Sequence, residues 1–129
     1  IASNSGSQIS QGSNLVAIFI PHTISAGQLP NEIGNLVHLQ CLSVFKNNIT
    51  GNLPESISNL KELKHLNLGL NKFEGLLPKG IGSLEKLEML QLFMNRFSGE
   101  IPSEIGNLKS LKTLELYANN FTTLLIIYC

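Results

Sequence analysis

Leu84-Glu-Lys-Leu-Glu-Met-Leu-Gln-Leu-Phe-Met-Asn-Arg-Phe-Ser-Gly-Glu-Ile-Pro-Ser-Glu-Ile-Gly-Asn107 is one complete unit of a pattern that recurs every 24 residues. Aligning the chain on Leu36, Leu60, Leu84 and Leu108 brings further columns into line. Leu39, Leu63, Leu87 and Leu111 follow, then Leu42, Leu66, Leu90 and Leu114, then Val44, Leu68, Leu92 and Leu116. Asn47, Asn71, Asn95 and Asn119 form the next column, with Ile49, Phe73, Phe97 and Phe121 two residues on. Gly51, Gly75 and Gly99 come next, then Pro54, Pro78 and Pro102, then Ile57, Ile81 and Ile105. One period upstream a weaker copy retains Leu15, Ile18, Ile20, Gly27, Pro30 and Ile33, with Thr23 in the Asn column.

Leu60-Lys-Glu-Leu-Lys-His-Leu66 also fits an amphipathic helix, with apolar residues three and four apart. Two features oppose that reading. Leu66-Asn-Leu68 and Leu90-Gln-Leu92 alternate with the period of a half-buried strand, and Gly and Pro interrupt every unit at the same offsets. A short strand around His65 to Leu70 turns Leu66 and Leu68 inward, and stacked strands pair into a parallel sheet. One such unit cannot bury its leucines alone; its neighbours close the core. The Asn column falls where the chain leaves the strand, and its amide can satisfy turn backbone by donating and accepting. Gly51, Gly75 and Gly99 are expected at positive φ or at a close approach. Pro54, Pro78 and Pro102 suit the first position of a short helical turn, with Glu55 and Glu104 at its positive end and Gly82 and Gly106 ending it. The expected fold is α/β: a right-handed solenoid of about five units, with a parallel concave sheet and short 3₁₀ or irregular convex segments.

Composition removes several function classes. Nine basic residues balance nine acidic ones with no basic stripe, which argues against nucleic acid. Every acidic residue is Glu, so no Asp-containing triad or EF-hand loop exists. The longest apolar runs, Leu15 to Ile20 and Leu124 to Cys129, have six residues each against the ~20 of a membrane helix. Gly80-Ile-Gly-Ser belongs to the repeat and not to a dinucleotide loop. His22, His38 and His65 fall in different columns or faces, so no metal or cofactor site is expected. Cys41 and Cys129 lie more than three units apart, roughly 15 Å at the strand spacing. A disulfide needs α-carbons within about 7 Å, so free thiols are expected.

The columns read Leu-x-x-Leu-x-x-Leu-x-Leu-x-x-Asn-x-φ-x-Gly-x-φ-Pro-x-x-Ile-Gly-Asn, with φ apolar. This closely resembles the plant extracellular type of leucine-rich repeat, and Ser98-Gly-Glu-Ile-Pro-Ser-Glu-Ile-Gly-Asn107 carries the subtype. Residues 36–121 match well and 15–35 loosely. The resemblance implies a module like the ectodomains of plant receptor-like kinases and receptor-like proteins, placed outside the cell or at its surface and active in signalling or defence. Its implied partners are a protein or peptide ligand and a co-receptor ectodomain, with no cofactor and no enzymatic activity. A soluble inhibitor of polygalacturonases is the alternative; an ice-binding surface would need a regular array of Thr or Asn that the mixed outer columns lack. Family members usually begin with a cysteine-paired cap, whereas residues 1–14 are rich in Ser, Asn, Gln and Gly without Cys. That stretch is expected to be a disordered or incomplete cap, with the repeat domain over 15–129. The start at Ile1 fits an excised piece or mature product, and Thr123 and Ile126 break the pattern as a divergent cap or truncated end would. A stack without caps leaves core open at both ends, which predicts marginal solubility.

Recognition should fall on the outward strand positions. These form four columns: Ala17, Cys41, His65, Met89, Thr113; then Phe19, Ser43, Asn67, Gln91, Glu115; then Pro21, Phe45, Gly69, Phe93, Tyr117; then His22, Lys46, Leu70, Met94, Ala118. The candidate ligand-binding residues are Phe45, Lys46, His65, Asn67, Leu70, Gln91, Phe93, Met94, Glu115 and Tyr117. Two readings of the aromatics stand: anchors for a ligand, or strand formers covering one another across the sheet. Asn48-Ile-Thr50 and Asn120-Phe-Thr122 are glycosylation sequons just past the Asn ladder, three units apart.

Overall fold

The computed structural model describes residues 14–20 and 26–122. Expectations for Pro21, His22, Thr23 and Cys129, for residues 1–14 apart from Asn14, and for the tail from Thr123 on concern positions outside these. Five short strands form one parallel sheet: β1 (Ala17–Phe19), β3 (Cys41–Ser43), β5 (His65–Asn67), β7 (Met89–Gln91) and β9 (Thr113–Glu115). Each residue pairs with its counterpart 24 positions on, Leu42 with Leu66 and Leu66 with Leu90. Pairing continues past the strand ends: Leu68 N–H donates to Gln91 O at 2.8 Å and Leu70 N–H to Phe93 O at 3.0 Å. The inward side chains explain this regularity. Leu66, Leu68, Leu90 and Leu92 are fully buried, each burial contributing about 2 kcal/mol. Their column mates Leu114 and Leu116 are only partly covered.

A second parallel sheet runs through β2 (Ala26–Gln28), β4 (Asn48–Asn52), β6 (Lys72–Leu76), β8 (Arg96–Gly99) and β10 (Asn120–Phe121). The sequence pattern does not show it, because Gly falls in four of its five segments. Its register also differs: Thr50 pairs with Lys72 and Glu74 with Arg96, an offset of 22 and not 24. Equivalent residues therefore slip by two positions per unit, which keeps every side chain on its own face. Phe73, Phe97 and Phe121 stack inside at centroid separations of 6.0 and 6.3 Å, their planes almost parallel.

Among the described residues four 3₁₀ turns close the units: η1 (Asn31–Asn35), η2 (Glu55–Asn59), η3 (Lys79–Ser83) and η4 (Ser103–Asn107). Glu55 and Glu104 sit in first turns as expected. The prolines stand one residue before the place the sequence suggests, as N-terminal caps and not as first helical residues. Pro54 and Pro78 have ψ of 142° and 133°, extended values that exclude them from the helix. Their carbonyls still accept the first helical bonds, from Ile57 N–H at 3.1 Å and Ile81 N–H at 3.2 Å. Gly82 and Gly106 do not end the turns either; Leu84 and Leu108 cap them. A methyl group on Gly82 would overlap the Glu104 backbone, so that residue permits the neighbouring turn to approach.

The chain leaves β3, β5, β7 and β9 through a left-handed residue: Lys46, Leu70, Met94 and Ala118 have φ of 59°, 56°, 55° and 58°. Such a conformation costs a non-glycine residue roughly 1–2 kcal/mol. The next residue, the ladder Asn, offsets it. Asn71 Nδ2 donates to Leu68 O at 3.1 Å and Gly69 O at 3.2 Å in its own unit and to Val44 O at 2.8 Å in the preceding one. Its Oδ1 accepts Ile49 N–H at 3.1 Å. Asn95 repeats the set one unit on, bonding Leu68 O, Leu92 O and Phe93 O and accepting Phe73 N–H. Asn71→Ala leaves buried donors and acceptors unpaired and should cost about 3 kcal/mol. Asn119 is only partly buried, so Asn119→Ala should cost about 1 kcal/mol. Urea denaturation of the two variants checks the difference.

Candidate functional site

The outward columns of the first sheet stand side by side in the register the sequence implies, Cys41–His65–Met89 in one and Ser43–Asn67–Gln91–Glu115 in the next. Within the second column Gln91 Nε2 donates to Glu115 Oε1 at 2.5 Å, which fixes that carboxylate across adjacent strands. Asn67 Oδ1 instead accepts Gly69 N–H at 3.0 Å and braces its own turn. His65 Nδ1 lies 3.5 Å from Cys41 Sγ. Lys46, Leu70 and Met94 belong to the left-handed turn, so they stand at the rim of the strip and not on the strands.

The aromatic residues are joined by something the columns alone do not reveal. Phe45 and Phe93 are two strands apart, about 9.6 Å at the usual spacing, yet their ring centroids are 6.0 Å apart. Gly69 lies between them. The Phe93 ring leans over it, with ring carbons 2.6–3.0 Å from where a Gly69 Cβ would be. On its other side Phe93 stacks on Tyr117 at 5.1 Å and 12°. The three rings thus form one continuous surface, half-buried at Phe45 and Phe93. Tyr117 and Met94 remain 56% and 46% exposed. Phe19, 68% exposed in the polar column, is a further apolar contact that the sequence reading did not include among the candidates.

Asn48 and Asn120 are both exposed and open β4 and β10 at equivalent places. Cys41 is a free thiol, while Cys129 lies outside the described residues. Away from the strip, Lys86, Lys109 and Lys112 pair with Glu62, Glu85 and Glu88 of the preceding unit at 2.8, 3.8 and 3.5 Å. The hydrogen bond and charge of Lys86 lower the pKa of Glu62. These pairs are solvent-exposed, and such pairs contribute little to stability. Among the described residues no group of three or more His, Cys, Asp or Glu comes together, and no helix is long and apolar enough to cross a membrane.

Comparison with known proteins agrees with this geometry. The family model described as "Leucine-rich repeat region" matches residues 18–124, so the chain belongs to the leucine-rich repeat family. No curated protein sequence matches it. Among solved structures it is similar to a TDR receptor at 48% identity and TM-score 0.73, over 74% of this chain and 17% of that one. It is also similar to the Arabidopsis receptor kinase HAESA, solved with the peptide hormone IDA and the co-receptor SERK1: 36% identity, TM-score 0.81, 84% and 18% covered. A plant ice-binding protein shares 34% identity at TM-score 0.73, over 83% of this chain and 34% of that chain. The chain spans less than a fifth of either receptor.

Gly69→Ala tests the packing of the rings. Gly69 is not among the glycines with positive φ, so its backbone accepts alanine, but the methyl must lift Phe93 away from Phe45. Stability should change by less than about 1 kcal/mol. The ring-current shifts on Phe45 protons in NMR spectra should collapse.

Proposed function

We propose that the chain is a section of a plant receptor-kinase-type ectodomain whose concave strip recognises an extended peptide or a partner ectodomain at the cell surface. The observation that carries this is the joined surface of Phe45, Phe93 and Tyr117 beside the Gln91–Glu115 pair. Rings held by one another lose little freedom on binding, and fixed aromatic anchors with a few placed polar groups are what a recognition surface needs. The similarity to HAESA, which binds a peptide hormone and a co-receptor, supports the same reading. Likeness of fold does not choose it by itself, since the ice-binding protein shares the fold. The outward columns support it over ice binding: they mix Cys, His, Met, Phe, Gln and Glu, where a flat regular array would repeat one small polar residue. Nor do they present the basic column a polygalacturonase inhibitor would favour, Lys46 being the one Lys or Arg among their described positions.

Peptides selected on the immobilised chain from a display library should bind Phe93→Ala and Tyr117→Ala at least about tenfold more weakly. Glu104→Ala, on the 3₁₀ side, should leave affinity unchanged. Equal affinity of all three variants would remove the strip from the binding surface. Glycosylation at Asn48 and Asn120 follows from secretion: protein secreted from plant cells should carry two glycans by intact mass. Thr50→Ala and Thr122→Ala should each remove one.

A further inference from the structure

Cys41, His65 and Met89 occupy one outward column on three adjacent strands, paired in register. All three line one shallow depression of about 160 Å³, shared with the neutral side chains of Ser43, Asn67 and Gln91. Within it Cys41 Sγ and His65 Nδ1 are 3.5 Å apart. Metal–sulfur and metal–nitrogen bonds of about 2.3 and 2.0 Å at tetrahedral or trigonal angles hold two ligand atoms roughly 3.5–3.7 Å apart. The thiol and imidazole therefore already stand at chelating distance without any movement of the backbone. Met89 is the register partner of His65 on the far side, and its three-rotor thioether can swing toward the same point.

We propose that this column is a binding site for a single cuprous ion, held by Cys41 Sγ and His65 Nδ1 with Met89 Sδ as a third ligand. The donor set selects the metal. Thiolate and thioether are soft ligands that favour Cu(I), whereas zinc sites are built from Cys, His and carboxylate. No carboxylate lines the depression, which disfavours calcium, magnesium and manganese. Binding replaces the thiol proton with the metal: the S–H bond breaks, a Cu–S bond forms, one proton leaves to solvent and no electron is transferred. The site's members are three different residue types brought together by the 24-residue register.

Anaerobic titration of the purified protein with Cu(I) in competition with bicinchoninate tests the assignment, with far-UV circular dichroism to confirm that each variant is folded. Cys129→Ser should bind one Cu(I) per chain like the wild type and release one proton on binding. Changes in outer-shell groups typically cost 10–100-fold in metal affinity, so losing a direct ligand through Cys41→Ser or His65→Ala should cost more than ~100-fold. Met89→Leu should cost about tenfold, as a weaker third ligand. Absence of binding, retention of affinity in folded Cys41→Ser or His65→Ala, its loss in Cys129→Ser, or an unchanged Met89→Leu each overturns the three-ligand site.

Discussion

The buried amide of the ladder asparagine is the interaction on which the rest depends. At the ends of β3, β5, β7 and β9 the chain turns through a left-handed Lys, Leu, Met or Ala, a conformation none of these side chains favours. The following Asn makes that turn tolerable by donating to the two carbonyls it exposes, and its second amide function reaches the unit before. Local closure and stacking are thereby performed by one side chain. Asn71 and Asn95 show why the unit length cannot drift. The donor meets a carbonyl 27 residues back and the acceptor an N–H 22 residues back, and an inserted residue breaks both.

A scaffold fixed in this way leaves its outward columns free. In a solenoid each unit touches its neighbours alone, so substitutions on the outer face do not spread through the core. The ring surface illustrates the result. Its shape is set by an absent side chain at Gly69 as much as by the Phe93 ring that fills the gap. Two aromatics that a flat sheet would keep apart become one surface, and the stacked Tyr117 extends it to the next unit.

The core and the first-sheet register were legible in the sequence because burial repeats with the period of the chain. Leu42, Leu66 and Leu90 pair as their spacing requires, and Gly51, Gly75 and Gly99 take the positive φ expected of them. The left-handed turn was not legible at Lys46, Leu70, Met94 or Ala118, since these residue types carry no turn signature; the signal lies in the Asn that follows. The second sheet was hidden for a related reason. Lys72-Phe-Glu-Gly-Leu76 has too short an alternation, broken by Gly, to read as a strand, and its 22-residue offset cannot be inferred from a 24-residue repeat. The proline misplacement is smaller: a fixed φ suits both cap and first turn, and the ψ that decides between them belongs to the chain around it. Of the proposed binding strip, the sequence placed the columns but not their contacts. The lean of Phe93 over Gly69 and the closeness of Cys41 to His65 depend on side-chain directions that periodicity does not encode.

The geometry also limits what the proposed strip could hold. Successive strands are about 4.8 Å apart, whereas an extended peptide advances about 3.4 Å per residue. A ligand laid across the four strands from β3 to β9 therefore covers about 14 Å and meets them with only four or five residues. The strand spacing and the residue spacing do not match, so ligand side chains cannot fall into identical niches on every unit. An anchor fits only where neighbouring outward residues happen to suit it, as at the joined rings, and the remaining positions must be met by adaptable polar groups. Here those are Gln91, already tied to Glu115, and Asn67, already tied to its own turn. Specificity in such a strip follows from the irregularity of its outer columns, and the regularity of the ladder beneath is what allows that irregularity at little cost to the fold.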